Sequence, residues 1–143
     1  MRLEVTRRSE LAVRAMIVLG GNQGRMKGAV LAQALGTTPA FVAQVVGPLV
    51  KAGWVRSDPG PAGGYAVHAA LAEVSVLQVI EAVDGVVDSG VCVVEARACD
   101  RSAPCVLHFA WSRARAELVR ALGETPLSTL AEATAADGGV VSR

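Results

Sequence analysis

Residues 28–67 read GAVLAQALGTTPAFVAQVVGPLVKAGWVRSDPGPAGGYAV, and the fold turns on how this stretch is punctuated. Val30, Leu31, Ala34 and Leu35 recur at helical spacing and are followed at once by Gly36, the residue that most often ends a helix in a left-handed cap. Thr38 then offers a side-chain cap and Pro39 suits the first helical position, so a second helix starts within three residues. Val42, Val45, Val46, Leu49 and Val50 form its apolar stripe, and Ala40, Gln44, Gly47 and Lys51 its opposite face, up to Gly53. Pro48 inside this helix removes one backbone hydrogen bond and is expected to bend the axis. Two β-prone runs follow, Trp54 to Arg56 and Tyr65 to Val67, separated by a Pro/Gly turn. Helix, glycine stop, helix and hairpin in that order predict a helix-turn-helix with a wing. A helical protein-protein module shares the core pattern, but the order of parts favours DNA binding.

Working outward, Thr6 is a plausible N-cap for a helix carrying Leu11, Ala12, Ala15, Val18 and Leu19 and ending at Gly20-Gly21, with Arg7, Glu10 and Arg14 expected on its solvent side. On the other flank, a linker over residues 69–74 leads to a helix capped by Ser75 that carries Val76, Val79, Ile80 and Val83 up to Gly85. Further on, Leu107, Trp111, Ala114, Leu118, Ala121 and Leu122 repeat at nearly coiled-coil spacing, and a helix with that seam is expected to pair with its copy. Gly123 stops it; Leu127, Leu130 and Ala131 make a last short helix before the tail AADGGVVSR, expected to be mobile. The fold class is therefore mainly α: a winged helix-turn-helix DNA-binding domain over residues 1–68, then residues 69–143 with a long C-terminal dimerisation helix.

The chain has 143 residues and a formal net charge of only +1, weakly basic for a nucleic-acid binder. The distribution is more telling: residues 1–68 hold eight Lys/Arg against three Asp/Glu, and the remainder six against ten. A basic binding half joined to an acidic sensing half shows such asymmetry. Arg7, Arg8, Lys27, Lys51 and Arg56 are the candidate phosphate contacts. Residues 28–50 carry no charge, but Gln33, Gln44, Pro39 and Pro48 within them argue against a membrane span, and the N-terminus lacks a signal-peptide apolar region. A cytoplasmic protein that binds no membrane is expected. No nucleophile stands beside a base in a recognisable motif and the glycines form no phosphate loop, so an enzyme is not expected.

All three cysteines fall in CVVEARACDRSAPCVLH, residues 92–108, closed by one of the two histidines. The gaps are too uneven for the paired knuckles of a zinc ribbon and fit a loop, residues 86–108, wrapped round a larger metal centre. Pro104 is placed to begin a helix after Ser102 or Ala103. Cys105 would then lie in its first turn, where the helix dipole favours the thiolate, with His108 one turn on.

These parts together carry a family resemblance. The opening MRLEVTRRSELAVRAM, the wing GPAGGY, the run VLQVIEAVDG and the three cysteines resemble the winged-helix regulators that sense through an iron-sulfur cluster, the family of IscR and NsrR, over residues 1–132. The resemblance implies a homodimer with crossing C-terminal helices, binding a double-stranded operator of palindromic half-sites, and a cluster held by Cys92, Cys99 and Cys105 that modulates DNA affinity. For the fourth ligand it implies either His108, completing a [2Fe-2S] site as in IscR-like members, or Glu10 of the partner subunit, completing a [4Fe-4S] site as in NsrR-like members. CVLHFAW resembles the IscR-like sequence on both sides of the histidine, which leans toward [2Fe-2S]. Gln44 matches a DNA-contact position, and its amide suits an adenine edge; Thr37, Thr38 and Phe41 are secondary candidates for phosphate or thymine-methyl contacts. Where many relatives carry a basic residue in the wing, this chain has Asp58 and Pro59. The function implied is a transcriptional repressor sensing redox state, nitric oxide or iron-sulfur status. Structural zinc on Cys92, Cys99, Cys105 and His108, or a thiol-based redox switch, are the alternatives.

Overall fold

The structure, a computed structural model, describes residues 3–138. Helix α1 (Arg7–Gly20) begins where expected: Thr6 accepts a hydrogen bond from the Ser9 N–H at 3.0 Å through its side-chain oxygen. Helix α2 (Gly28–Leu35) stops at Gly36, whose φ of 66° is the left-handed cap that glycine adopts without steric cost. The Thr37 N–H then reaches back to the Ala32 carbonyl. Helix α3 (Pro39–Lys51) is capped by Thr38, and Pro39 occupies its first turn. Strands β1 (Val55–Asp58) and β2 (Gly64–Val67) pair antiparallel, Val55 opposite Val67 and Asp58 opposite Gly64. Each strand is thus one residue longer than the β-prone run alone implied. An isolated bridge from Met26 to Tyr65 fastens it to the segment before α2.

A 3₁₀ turn at Leu71–Glu73 occupies the expected linker and leads to α4 (Val76–Asp84), where Ser75 and Gln78 cap each other reciprocally. Helices α5 (His108–Gly123) and α6 (Leu127–Ala136) complete the described chain. Leu11, Ala15, Met16 and Leu19 of α1 close on Leu31 and Leu35 of α2, Val42, Val45, Val46 and Leu49 of α3, Val79 of α4 and Leu127 of α6, all fully buried. Truncating one of these leucines costs about 2–5 kcal/mol, through lost transfer energy and the cavity left behind. The result is a mainly helical winged helix-turn-helix with one small two-stranded sheet.

Four local expectations are corrected. Arg14 is buried at 7% exposure rather than solvent-facing, because its guanidinium reaches the Leu35 carbonyl left over at the end of α2, 3.4 Å away, and pairs with Glu10. Val50 and Val30, placed on core stripes by spacing, are exposed at 36% and 51%. α5 begins at His108 and not at Pro104, so Cys105 lies outside the helix and its dipole argument lapses. Ser102, whose hydroxyl and N–H both donate to Asp100, lies six residues before that helix start and so does not cap it. In the expected mobile tail, Ala135 and Ala136 belong to α6, while residues 139–143 lie outside the described residues. Among the described residues no single helix is long and apolar enough to cross a membrane, and the uncharged run is split into α2 and α3, bent by 97°.

Candidate DNA interface and cysteine centre

The candidate DNA contacts are spread over α1, the segment before α2, α3 with its preceding turn, and β1. Gln44 and Lys51 lie exposed on the outer face of α3, with Thr38 exposed and Thr37 half-buried in the turn before it. The Thr38 hydroxyl oxygen accepts the Phe41 N–H at 3.2 Å, so part of its bonding capacity is spent on the cap. Phe41 is only half exposed and packs against the core. Lys27 precedes α2 as an N-cap without a side-chain bond. Arg56 projects from β1 but is paired with Asp58 at 3.3 Å, and Asp58 also holds Arg25 at 2.8 Å. The acidic residue in the wing therefore acts as a clasp between the wing and the segment before α2. Pro48 sits inside an unbroken α3, and the carbonyl of Gln44, which a residue with an N–H at position 48 would engage, accepts Arg8 Nη2 at 3.3 Å instead.

The loop between α4 and α5 folds the three cysteines onto His108. Cys92 Sγ lies 3.7 Å from Cys105 Sγ, and Cys99 Sγ 2.8 Å from His108 Nδ1. All four residues line one cavity of 20 Å³, with Trp111, Ser112 and Arg115 on its helical wall. Cys92 opens a tight turn: its N–H donates to the Arg97 carbonyl, and Ala96 takes a left-handed φ of 49°. The N–H groups of Val94 and Glu95 point at the Cys92 sulfur and hold its pKa below that of an ordinary thiol, helped by Cys105. Burial pushes the Cys99 thiol up, and the neighbouring Cys92 and Cys105 add to this. Arg115 ties the loop to α5, bonding the Asp88 carboxylate at 3.0 Å and the Val91 carbonyl at 3.5 Å. That arginine holds the Asp88 pKa below the usual carboxylate range.

The sequence model of the Rrf2 family, described as iron-dependent transcriptional regulators, matches residues 5–133. The chain belongs to the Rrf2 family. A Neisseria meningitidis protein named as an HTH-type transcriptional regulator is 30% identical over 132 residues, 91% of this chain and 88% of its own length. The HTH-type transcriptional regulator IscR of Aliivibrio salmonicida is 32% identical over 111 residues, covering 76% of this chain and 66% of that one. Among solved structures, CymR of Bacillus subtilis, named as its global cysteine regulator, superposes with a TM-score of 0.76 at 26% identity, over 93% of this chain and 99% of that one. An oxidised form of Staphylococcus aureus CymR gives 0.72 at 26%, over 91% and 97%. Like these Rrf2 relatives, the protein is a DNA-binding transcriptional regulator and not an enzyme.

This Rrf2 chain supplies a donor set of the right chemistry for a thiolate-bound metal group, converged on one point and joined to a helix start. The set is closed up, however. Two ligands of one tetrahedral ion stand about 3.5 Å apart, given metal bonds of ~2.0–2.3 Å. The Cys92–Cys105 pair meets that spacing, whereas Cys99 and His108 are at hydrogen-bond distance. Among the described residues no group of three or more His, Cys, Asp or Glu stands ready to hold an ion. The donors fit in kind, and a bound group requires the loop to open. Glu10 lies on α1, held by Arg7 at 2.8 Å and Arg14 at 3.4 Å, within the chain and away from the loop's bonding network. Sequence reading missed Arg115; it falls seven residues after His108 and so shares its face of the helix, the one signal that points to it.

Proposed function

We propose that this Rrf2 regulator is a homodimeric repressor whose operator affinity is set by the state of the Cys92–His108 loop, residues 1–68 serving as the DNA-binding module and residues 69–143 as the dimerising and sensing part. Cys92, Cys99 and Cys105 would hold an iron-sulfur cluster, with His108 or Glu10 of the partner subunit as fourth ligand; His108 is favoured, since it already stands beside Cys99. When bound, such a cluster supplies redox and ligand-exchange chemistry, the basis for sensing redox state, nitric oxide or cluster supply. The chain's own residues do the rest. Val94 and Glu95 N–H groups stabilise a thiolate on Cys92, and Arg115 anchors the loop to α5. Gln44 would read an adenine edge in the major groove of each palindromic half-site, while Arg7, Arg8, Lys27, Lys51 and Arg56 neutralise phosphates, supported by Thr37, Thr38 and Phe41.

The convergence of three thiols and one imidazole on a single cavity at the start of α5 carries this reading. Anaerobic purification tests it. A coloured protein with iron and sulfide in comparable amounts is expected, and substitution of the true fourth ligand, His108→Ala or Glu10→Ala, should bleach or shift the visible bands. A colourless zinc protein refutes the cluster and leaves a structural zinc site.

A second reading rests on the 3.7 Å between Cys92 and Cys105, which a small movement would bring to disulfide distance. A peroxide would accept the two electrons and two protons released by the thiols, yielding water. Loss of DNA binding on peroxide treatment of metal-free protein, restored by a dithiol and absent in Cys105→Ser, would favour this switch.

A further inference from the structure

Outside the cysteine centre, a polar cluster joins the first turn of α1 to the end of α4, just before the cysteine loop. Asp84 is the last residue of α4, immediately before Gly85 and the cysteine loop. Its Oδ2 accepts two hydroxyl bonds from the first turn of α1, from Thr6 at 2.7 Å and from the fully buried Ser9 at 2.6 Å. The carboxylate thus also sits at the positive end of the α1 dipole. One turn earlier on α4, Glu81 accepts the Val87 N–H at 3.0 Å, fixing the start of the loop to the same helix end. On the other side of Ser9, Arg8 donates to the Gln44 carbonyl, the group that Pro48 leaves without a helical partner.

These contacts form a continuous chain from the loop to the middle of α3: Val87 to Glu81, Asp84 to Ser9 and Thr6, Arg8 to Gln44. We infer that Asp84 is a positioning residue, the strut through which the cysteine loop sets the placement of the DNA-reading helix. Displacing the loop pulls on the end of α4; the pull passes to the first turn of α1 through two hydroxyls bonded to one oxygen, and to Gln44 through the guanidinium next in sequence. Pro48 favours the contact, because with no N–H at that position the Gln44 carbonyl has no i+4 donor within α3 to compete with Arg8. The inference rests on the loop being a sensor, as proposed above.

The test compares duplex binding by the full-length protein in two loop states, iron-sulfide reconstituted and Cys92→Ser/Cys99→Ser/Cys105→Ser, using a duplex selected from a random library by the wild type. Wild type is expected to show an affinity ratio of about ten between the states, within the ordinary range of allosteric coupling. Asp84→Ala should bring the ratio close to one, Ser9→Ala should reduce it, and Asp84→Asn, which keeps an acceptor oxygen, should retain most of it. A merely structural role would weaken both states alike and leave the ratio unchanged, and that result overturns the inference. Should Asp84→Ala not fold, Ser9→Ala decides. A second arm needs no cluster: in metal-free protein, Arg115→Ala unties the loop and should speed amide exchange in the second half of α3, but not in the Asp84→Ala background. If wild type shows no ratio in the first arm, the sensor reading fails by itself, and the exchange experiment alone upholds or overturns the strut.

Discussion

Gln44 and Arg56 are both exposed on the proposed DNA-reading surface, yet they carry different physics. A side-chain amide discriminates between bases; a guanidinium on the wing attracts any phosphate. Gln44→Ala is therefore expected to lose about 1–3 kcal/mol of discrimination between the preferred duplex and one altered at a single base pair. Arg56→Ala should weaken both duplexes equally and flatten the salt dependence of binding. Competition titrations at two salt concentrations separate the two outcomes, and equal loss of preference in both variants would contradict this docking. Gly64 makes a different demand: its φ is 144°, and an added Cβ would meet the Met26 carbonyl oxygen at 2.6 Å. Gly64→Ala should break the bridge between wing and Met26, lowering the thermal midpoint and weakening DNA binding together. At this scale the caps were legible, because Thr6, Thr38 and Ser75 act on N–H groups three residues away. Arg14 was not, since what buries it is a carbonyl on another helix that spacing along α1 cannot reveal.

Among elements, the loop and the start of α5 differ most from the sequence reading. The composition around Pro104 resembles a helix start, but the chain reaches helical geometry only at His108, and Ser102 is bonded to Asp100 within the loop. The thiolate-stabilising donors accordingly lie at Cys92, in the turn of Val94 and Glu95, and not at Cys105. In reduced, metal-free protein the Cys92 thiolate should form at lower pH than that of Cys99. Ultraviolet thiolate absorbance in wild type and in Cys92→Ser checks this: the variant should lose the low-pH step. The folded pKa of Cys92 lies below its unfolded value, so this thiolate adds stability above the ordinary thiol range. That contribution is lost as pH falls through the lowered pKa. A first step that survives in Cys92→Ser would show that the donors act elsewhere. The gathering of cysteines was legible because all lie within seventeen residues; their pairing was not, because it depends on a turn through the left-handed Ala96.

For the molecule as a whole, one face of α5 presents an apolar groove among the described residues. Trp111, Ala114, Leu118 and Ala121 line a groove of 520 Å³ with Leu3, Val87 and Val93, and none of the residues of α5 is buried. The nearly coiled-coil repeat announced this seam in the sequence. Leu118→Glu should convert the proposed homodimer into a monomer by light scattering and weaken operator binding steeply, because each half-site would then be bound alone. An unchanged mass would place the dimer elsewhere. Long-range links were the least legible: Asp84 and Ser9 are 75 positions apart, and nothing in either local sequence foretells their contact.

The central claim is that the cysteine loop governs DNA binding. Its most direct measurement is the affinity of the anaerobically purified protein for the selected duplex, set beside that of the Cys92→Ser/Cys99→Ser/Cys105→Ser variant under the same salt. A coloured wild type whose affinity differs by about ten-fold from the variant is predicted, a difference typical of coupled sites. Equal affinities in two well-folded proteins would contradict it.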